Sequence, residues 1–162
     1  MIGGGDWAAD RIVPDTVRAA AAGKAVQVRN PNAVRPWQHV LEPLSGYLLL
    51  AERLFDRPAE HAEGWNFGPD EADAVPVEKI VSTVVRLWGP PAQWHADRGE
   101  HPPEAHFLRL DSAKARNRLG WRPRLRLDTA LEWTVEWYKQ HAQGADAHAL
   151  TVGQIERYMA LP

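Results

Sequence analysis

Two arginines, Arg29 and Arg35, stand six positions apart in the segment "VRNPNAVRPWQHVLEP" and bracket an Asn-Pro-Asn turn. Asparagine and proline favour a fixed turn, so the two guanidinium groups leave a stiff support. An arginine fork meets adjacent anionic oxygens through paired, charge-assisted hydrogen bonds, which makes phosphate a natural ligand for such groups. Trp37, Gln38 and His39 follow, and an apolar run begins at about Val40. The chain as a whole carries a formal net charge of -2, so these arginines do not belong to a broad basic surface of the kind nucleic acids or membranes attract.

Other chemistries fail on spacing. "GGGDWA" (3–8) spells the dinucleotide fingerprint G-x-G-x-x-A. That fingerprint works only after a strand and before a helix N-terminus, with an acidic residue about 20 positions on to hold a ribose. Only Met1 and Ile2 precede it here, and the acid is missing, so it reads as a glycine-rich loop. None of Tyr47, Tyr138 and Tyr158 has a lysine four residues on, which removes a tyrosine–lysine acid–base pair. His101, Glu104 and His106 lie close together in "HPPEAH", but two prolines keep one helix face from presenting both histidines to a metal. His95 and His141 have no evident partners and read as structural or exposed. No catalytic residue and no metal ligand is assigned.

The elements that must position the arginines follow from pattern. The 162 residues suit a domain with a real core. No apolar run reaches the length of a membrane span and no secretory leader opens the chain, so a cytoplasmic location is expected. Cysteine is absent, which removes disulfides and thiolate metal sites. A helix runs through "DRIVPDTVRAAAAGK" to a cap at Gly23, and "AVQV" (25–28) reads as a short strand. An apolar helix occupies 40–55 with Pro43 in its first turn. "GWNFG" (64–68) reads as a buried strand, 76–89 as an amphipathic helix ending at Gly89, and "AQWHA" as another strand. A helix opened by Asp111 or Ser112 closes at Gly120, and another, capped by Asp128, runs to about Gly144. Residues 1–144 form the main lobe, and 145–162 a tail with a short helix. The order is α/β with helices dominant and too few strands for a complete doubly wound sheet.

Five segments, "GGGDWAADRIVPD", "RNPNAVRPWQHVLEPLSGYLLLAE", "WNFGP", "HPPEAHFLRLDSAKARNRLGWRP" and "ALEWTVEWY", occur in the order seen in extended short-chain dehydrogenase/reductases, and resemble the C-terminal half of the CDP-glucose 4,6-dehydratase family. The resemblance runs to about Tyr138. It implies the C-terminal portion of an extended, Rossmann-type fold: a helix-dominated substrate lobe with a few short strands and without the Rossmann N-terminal half. In full-length relatives that half binds NAD and carries the catalytic groups. Hydride leaves C4 of the sugar for NAD, water is lost across C5 and C6, and hydride returns to C6. No cofactor is expected on this chain itself, and no turnover.

The resemblance also assigns the arginines. Arg35 matches a ligand of the CDP-sugar pyrophosphate, and Arg98 a second arginine that closes over the phosphates. Arg29 falls where relatives set a side chain against the base, and its planar group would stack on cytosine. Arg11 and Ile12 match a helix start that approaches the nucleotide, and Val28, at the end of its strand, is counted with them. Trp37 is expected to be structural, and His39 to cap the next helix or to bond within the loop. Two other readings remain open at this point: a lobe for a UDP-, GDP- or dTDP-sugar, and a non-enzymatic interaction remnant. Apolar side chains such as Leu48, Leu49, Val81 and Val84 are expected to lose part of their cover, so self-association, a rearrangement of the exposed elements or a partner carrying the Rossmann half is anticipated.

Overall fold

The computed structural model describes residues 1–99 and 105–162. In chain order these form α1 (Ile12–Ala21), β1 (Ala25–Val28), β2 (Val34–Pro36), α2 (Leu41–Asp56), the single turn α3 (Pro58–His61), a 3-10 turn at Glu71–Asp73, β3 (Ala74–Pro76), α4 (Val77–Trp88) and β4 (Gln93–Ala96). A π turn at Ala115–Leu119, α5 (Leu127–Ala142) and α6 (Ala147–Met159) complete the chain. Two ribbons of two strands result. β1 pairs in parallel with β4, and β2 antiparallel with β3.

The largest core lies between α1, α4 and α5, where Val13, Val17, Ile80, Val84, Leu131 and Val135 meet. Their spacing is helical on each element, so each helix turns one apolar stripe inward. Val81 packs instead on Val26 and Val28 of β1. Val81 and Val84 have no exposed surface, which corrects the expectation that they lose part of their cover: β1, β4 and α5 supply it. Leu49 is half-buried. Leu48 is 69% exposed and shares a face of α2 with Leu44, Tyr47 and Phe55, all exposed. The inner face of α2 is tight. A Cβ on Gly46 would come within 2.3 Å of Phe67 Cδ1, and Phe67 is itself held edge-on by Trp121 at 5.2 Å and Tyr47 at 5.6 Å.

Two local expectations are corrected. Residues 64–68 are not a strand, although Trp65 and Phe67 alternate as a strand would. Their backbone is satisfied by side chains instead of a ladder: Gln38 Nε2 donates to Phe67 O at 2.7 Å, and Gly68 N donates to Ser112 Oγ at 2.7 Å. Asp128 does not cap α5, because it already lies in the first turn. The carboxylate of Asp73, from another element, accepts the Leu127 N–H in its place, and burial pushes that carboxyl above its usual range. Asp111 does open the helical turn at 113, accepting from Ala113 N at 2.8 Å, and Gly120 closes it with φ 69°. α6 is a full helix of 13 residues, capped by Asp146 and tied to α5 by Gln154 Nε2 donating to Trp133 O.

Candidate functional site

The parallel register of β1 and β4 decides what meets at their carboxyl ends. Val28 pairs with Ala96, and Asp97 N continues the ladder by donating to Val28 O at 2.8 Å. The two strands therefore stop level, and Arg29 and Arg98 are the first arginines beyond them. Ligands of parallel sheets gather at this end, because the strand ends and the loops leaving them open there. Arg98 is exposed. Arg29 keeps half of its side chain in solvent, with Nη2 3.4 Å from Asp10 Oδ1. Asp10 leads directly into Arg11 and the start of α1 at Ile12. Asp10, Arg11, Ile12, Arg29 and the end of β4 thus belong to one end of the β1–β4 ribbon.

Arg11 donates to Asp6 Oδ2 at 2.9 Å. Burial would raise the Asp6 carboxyl, but the Ala8 amide and Arg11 hold it below its usual range. Arg11 and Ile12 also line a cavity of about 370 Å³ with Ile2, Val13, Pro14 and Trp37. Val28 presents no side chain to this region. It is 2% exposed and packs into the core with Val26 and Val81.

Arg35 sits on the second ribbon, paired across to Val75. Its Nη1 donates to Val34 O at 3.0 Å and to Ala105 O at 2.7 Å. The same segment is fixed by Val34 N donating to His106 O and Leu108 N to Val34 O. The turn between Arg29 and Arg35 is rigid for a visible reason: Val77 N donates to Ala33 O and Glu78 N to Pro31 O, which pins it on the free amides at the start of α4. The segment after Arg98 includes His101 and Glu104, and both lie outside the described residues. Among the described residues no group of three His, Cys, Asp or Glu is placed to hold a metal ion.

Trp37 is structural, its Nε1 donating to Val75 O at 3.0 Å. His39 is 1% exposed and accepts from Leu41 N at 3.3 Å through Nδ1, a bond within the entry to α2, whose N-cap is Val40. The glycine loop does not fit a dinucleotide. A Cβ on Gly3 would stand 2.8 Å from Val40 Cγ1, and one on Gly4 2.1 Å from Trp137 Cγ. These glycines let the loop lie against side chains of its own fold, and a turn follows them where a helix N-terminus would be needed. The buried phenol of Tyr138 donates to Asp6 O at 2.5 Å, and burial pushes its pKa up to about 12, so it offers no base near neutrality.

A second cleft, of about 330 Å³, opens between Pro36, Asp70, Arg109, Ser112 and Arg116. Most of its charges pair with one another: Arg116 and Arg126 both reach Asp70 at 2.9 Å, and Arg109 pairs with Glu71, while Asp111 accepts from Ala113 N. Sequence reading missed Asp10 and Asp6. The available signal was an acid directly before the arginine at a helix start, and only the fold shows that Asp10 faces Arg29.

No helix among the described residues is long and apolar enough to cross a membrane. No known family model matches the sequence. The chain is 49% identical over 160 residues to the CDP-glucose 4,6-dehydratase of Salmonella typhimurium, which takes in 99% of this chain and 45% of that protein. It thus spans about half the length of that relative. The fold is similar to that of UDP-glucuronic acid 4-epimerase from Bacillus cereus in complex with NAD, with TM-score 0.70 and 18% identity over 91% of this chain and 44% of that one. It is also similar to dTDP-glucose 4,6-dehydratase from Bacillus anthracis in complex with NAD, with TM-score 0.65 and 20% identity over 81% and 39%. The chain is therefore similar in sequence to CDP-glucose 4,6-dehydratase over about half of that protein's length, and has the fold of the C-terminal portion of the extended short-chain dehydrogenase/reductases.

Proposed function

We propose that this chain is the substrate-binding part of a CDP-glucose 4,6-dehydratase and holds the nucleotide end of a CDP-sugar. The observation that carries this reading is the 49% identity along nearly the whole chain. The convergence of Arg11, Ile12, Arg29 and the end of β4 on one side of a parallel ribbon supports it. Arg35 and Arg98 hold the diphosphate, Arg29 lies on the base, and the start of α1 lines the nucleoside side. In the whole protein NAD would supply the hydride acceptor. The packed glycine loop here does not fit it, so NAD belongs to a part outside this chain, and the chain alone has no turnover.

Replacing Arg35 with alanine is expected to weaken CDP binding by about 1.5–3 kcal/mol, the value of a charged hydrogen bond lost from a buried or half-buried site. Arg35→Lys keeps the charge but loses the fork, and should fall between the two. Calorimetry with CDP on all three proteins reads this, and equal affinities would remove Arg35 from the site.

The exposed face of α2 supports a further part of the proposal. Leu44, Tyr47, Leu48 and Phe55 lie 44–90% open along one helix. Contiguous apolar surface of this kind usually meets another protein surface. A chain carrying the Rossmann half, or failing that a second copy, covers it. Light scattering behind gel filtration is expected to give a mass above that of one 18.2 kDa chain. A monomer at every concentration, unchanged by Leu48→Glu, would show that α2 needs no cover.

A further inference from the structure

The carboxyl end of the β1–β4 ribbon carries an acid as well as its arginines. Asp10 is the single non-glycine residue with positive φ among the described residues, at 61°. This left-handed conformation is disfavoured for L-residues, though aspartate tolerates it better than most. Its side chain is 85% exposed, and its contact with Arg29 is long, at 3.4 Å, and open to water. A surface pair of that kind contributes little to stability, so it does not account for the strained backbone.

The chemistry of the pair suggests a use. An ionised carboxylate only accepts hydrogen bonds, and its two oxygens have room for more donors than Arg29 supplies. Its Oδ1 lies 3.4 Å from Nη2 of Arg29 and its side chain is 85% exposed, so the carboxylate is free to turn out of the guanidinium plane toward the edge of a ring lying on that group. Cytosine presents an amino donor at N4. Uracil presents the O4 carbonyl, whose lone pairs a carboxylate repels. Resting on the nucleotide site proposed above, we propose that Asp10 is a specificity-determining residue that selects cytosine over uracil by accepting the N4 amino protons of a base stacked on Arg29.

The test is a pair of titrations of the 162-residue chain with CDP and with UDP, followed by NMR chemical shifts to millimolar ligand. The wild-type chain is expected to prefer CDP about tenfold, a modest ratio because water competes at an open site. Asp10→Asn tolerates the left-handed backbone, so the fold is preserved. Its amide can turn either its oxygen or its amino group to the base, so the two nucleotides should then bind within about twofold of each other. Arg29→Ala should weaken both and also shrink the ratio, because the base loses the surface that holds its edge against Asp10. A CDP preference unchanged in Asp10→Asn overturns the role of Asp10 and leaves the nucleotide site standing. A preference kept in Asp10→Asn but lost in Arg29→Ala moves the selection to Arg29. Failure of the wild-type chain to bind CDP at all removes the site and this inference together.

Discussion

Truncating Glu42 to alanine is expected to cost about 3–5 kcal/mol of stability, because two buried donors and a partly buried one lose their acceptor at once. Glu42 lies in the first turn of α2 and has no exposed surface. Its carboxylate accepts from Arg124 N at 3.0 Å and from Leu125 N at 2.6 Å, and the Tyr158 hydroxyl donates to it at 2.9 Å. Tyr158 OH also lies 3.1 Å from Ser45 Oγ, which accepts from Trp121 Nε1 at 3.0 Å. One side chain thus ties the start of α2, the irregular stretch before α5 and the end of α6. Burial pushes the carboxyl above its usual range, against the amides and the phenol that pull it down. Urea unfolding of Glu42→Ala reads the loss. Tyr158→Phe removes one donor and leaves the two amides bonded, so it should cost only about 1 kcal/mol. A Glu42→Ala loss no larger than that of Tyr158→Phe would mean that water takes over the acceptor role and the carboxylate anchors nothing.

Glu42 also marks where a sequence stops being informative. Its acidic neighbour-free position in "VLEP" looks like a helix first turn, where a carboxylate is favourable and unremarkable. Its partners lie more than 80 residues away, so no local pattern could reveal that it is buried. Short-range signals fared better. Gly23, Gly89 and Gly120 all adopt the positive φ that a helix end demands, and the helices before them stop where their spacing stops. The strands divide along the same line. β1 and β4 were legible from composition and punctuation, but their parallel pairing was not, and that pairing is what brings Arg29 and Arg98 to one end. Residues 64–68 have the alternation of a strand without a neighbouring backbone to pair with, and alternation alone describes a surface that is half-buried. The arginines were visible as residue types. Which of them faces which carboxylate was not, since Asp10 meets Arg29 across 19 residues of helix, turn and strand.

Acid should destabilise this chain through His39. His39 is 1% exposed, and burial alone lowers its pKa from 6.5 to about 4. Its Nδ1 accepts from Leu41 N, which puts the proton of the neutral ring on Nε2, a buried nitrogen with no hydrogen-bond partner. The ring stands edge-on to Trp133 at 5.9 Å. A second proton must go to Nδ1, so protonation breaks the bond from Leu41 N as well as burying a charge. The unfolded chain takes that proton near pH 6.5 and the folded chain only near pH 4. Between these values the unfolded state binds more protons, so stability falls as pH falls. At about 1.4 kcal/mol for each unit of separation, roughly 3 kcal/mol present above pH 6.5 is lost by pH 4. Glu42 and Asp73 work the other way, since their raised carboxyls favour the folded state toward acid, so the total slope mixes signs. Comparing urea midpoints of wild type and His39→Asn at pH 7, 6, 5 and 4 isolates the histidine, because the asparagine variant keeps the carboxylates and can accept from Leu41 N. The gap between the two proteins should narrow steadily toward acid, and a gap constant across the series would show that His39 does not titrate on unfolding.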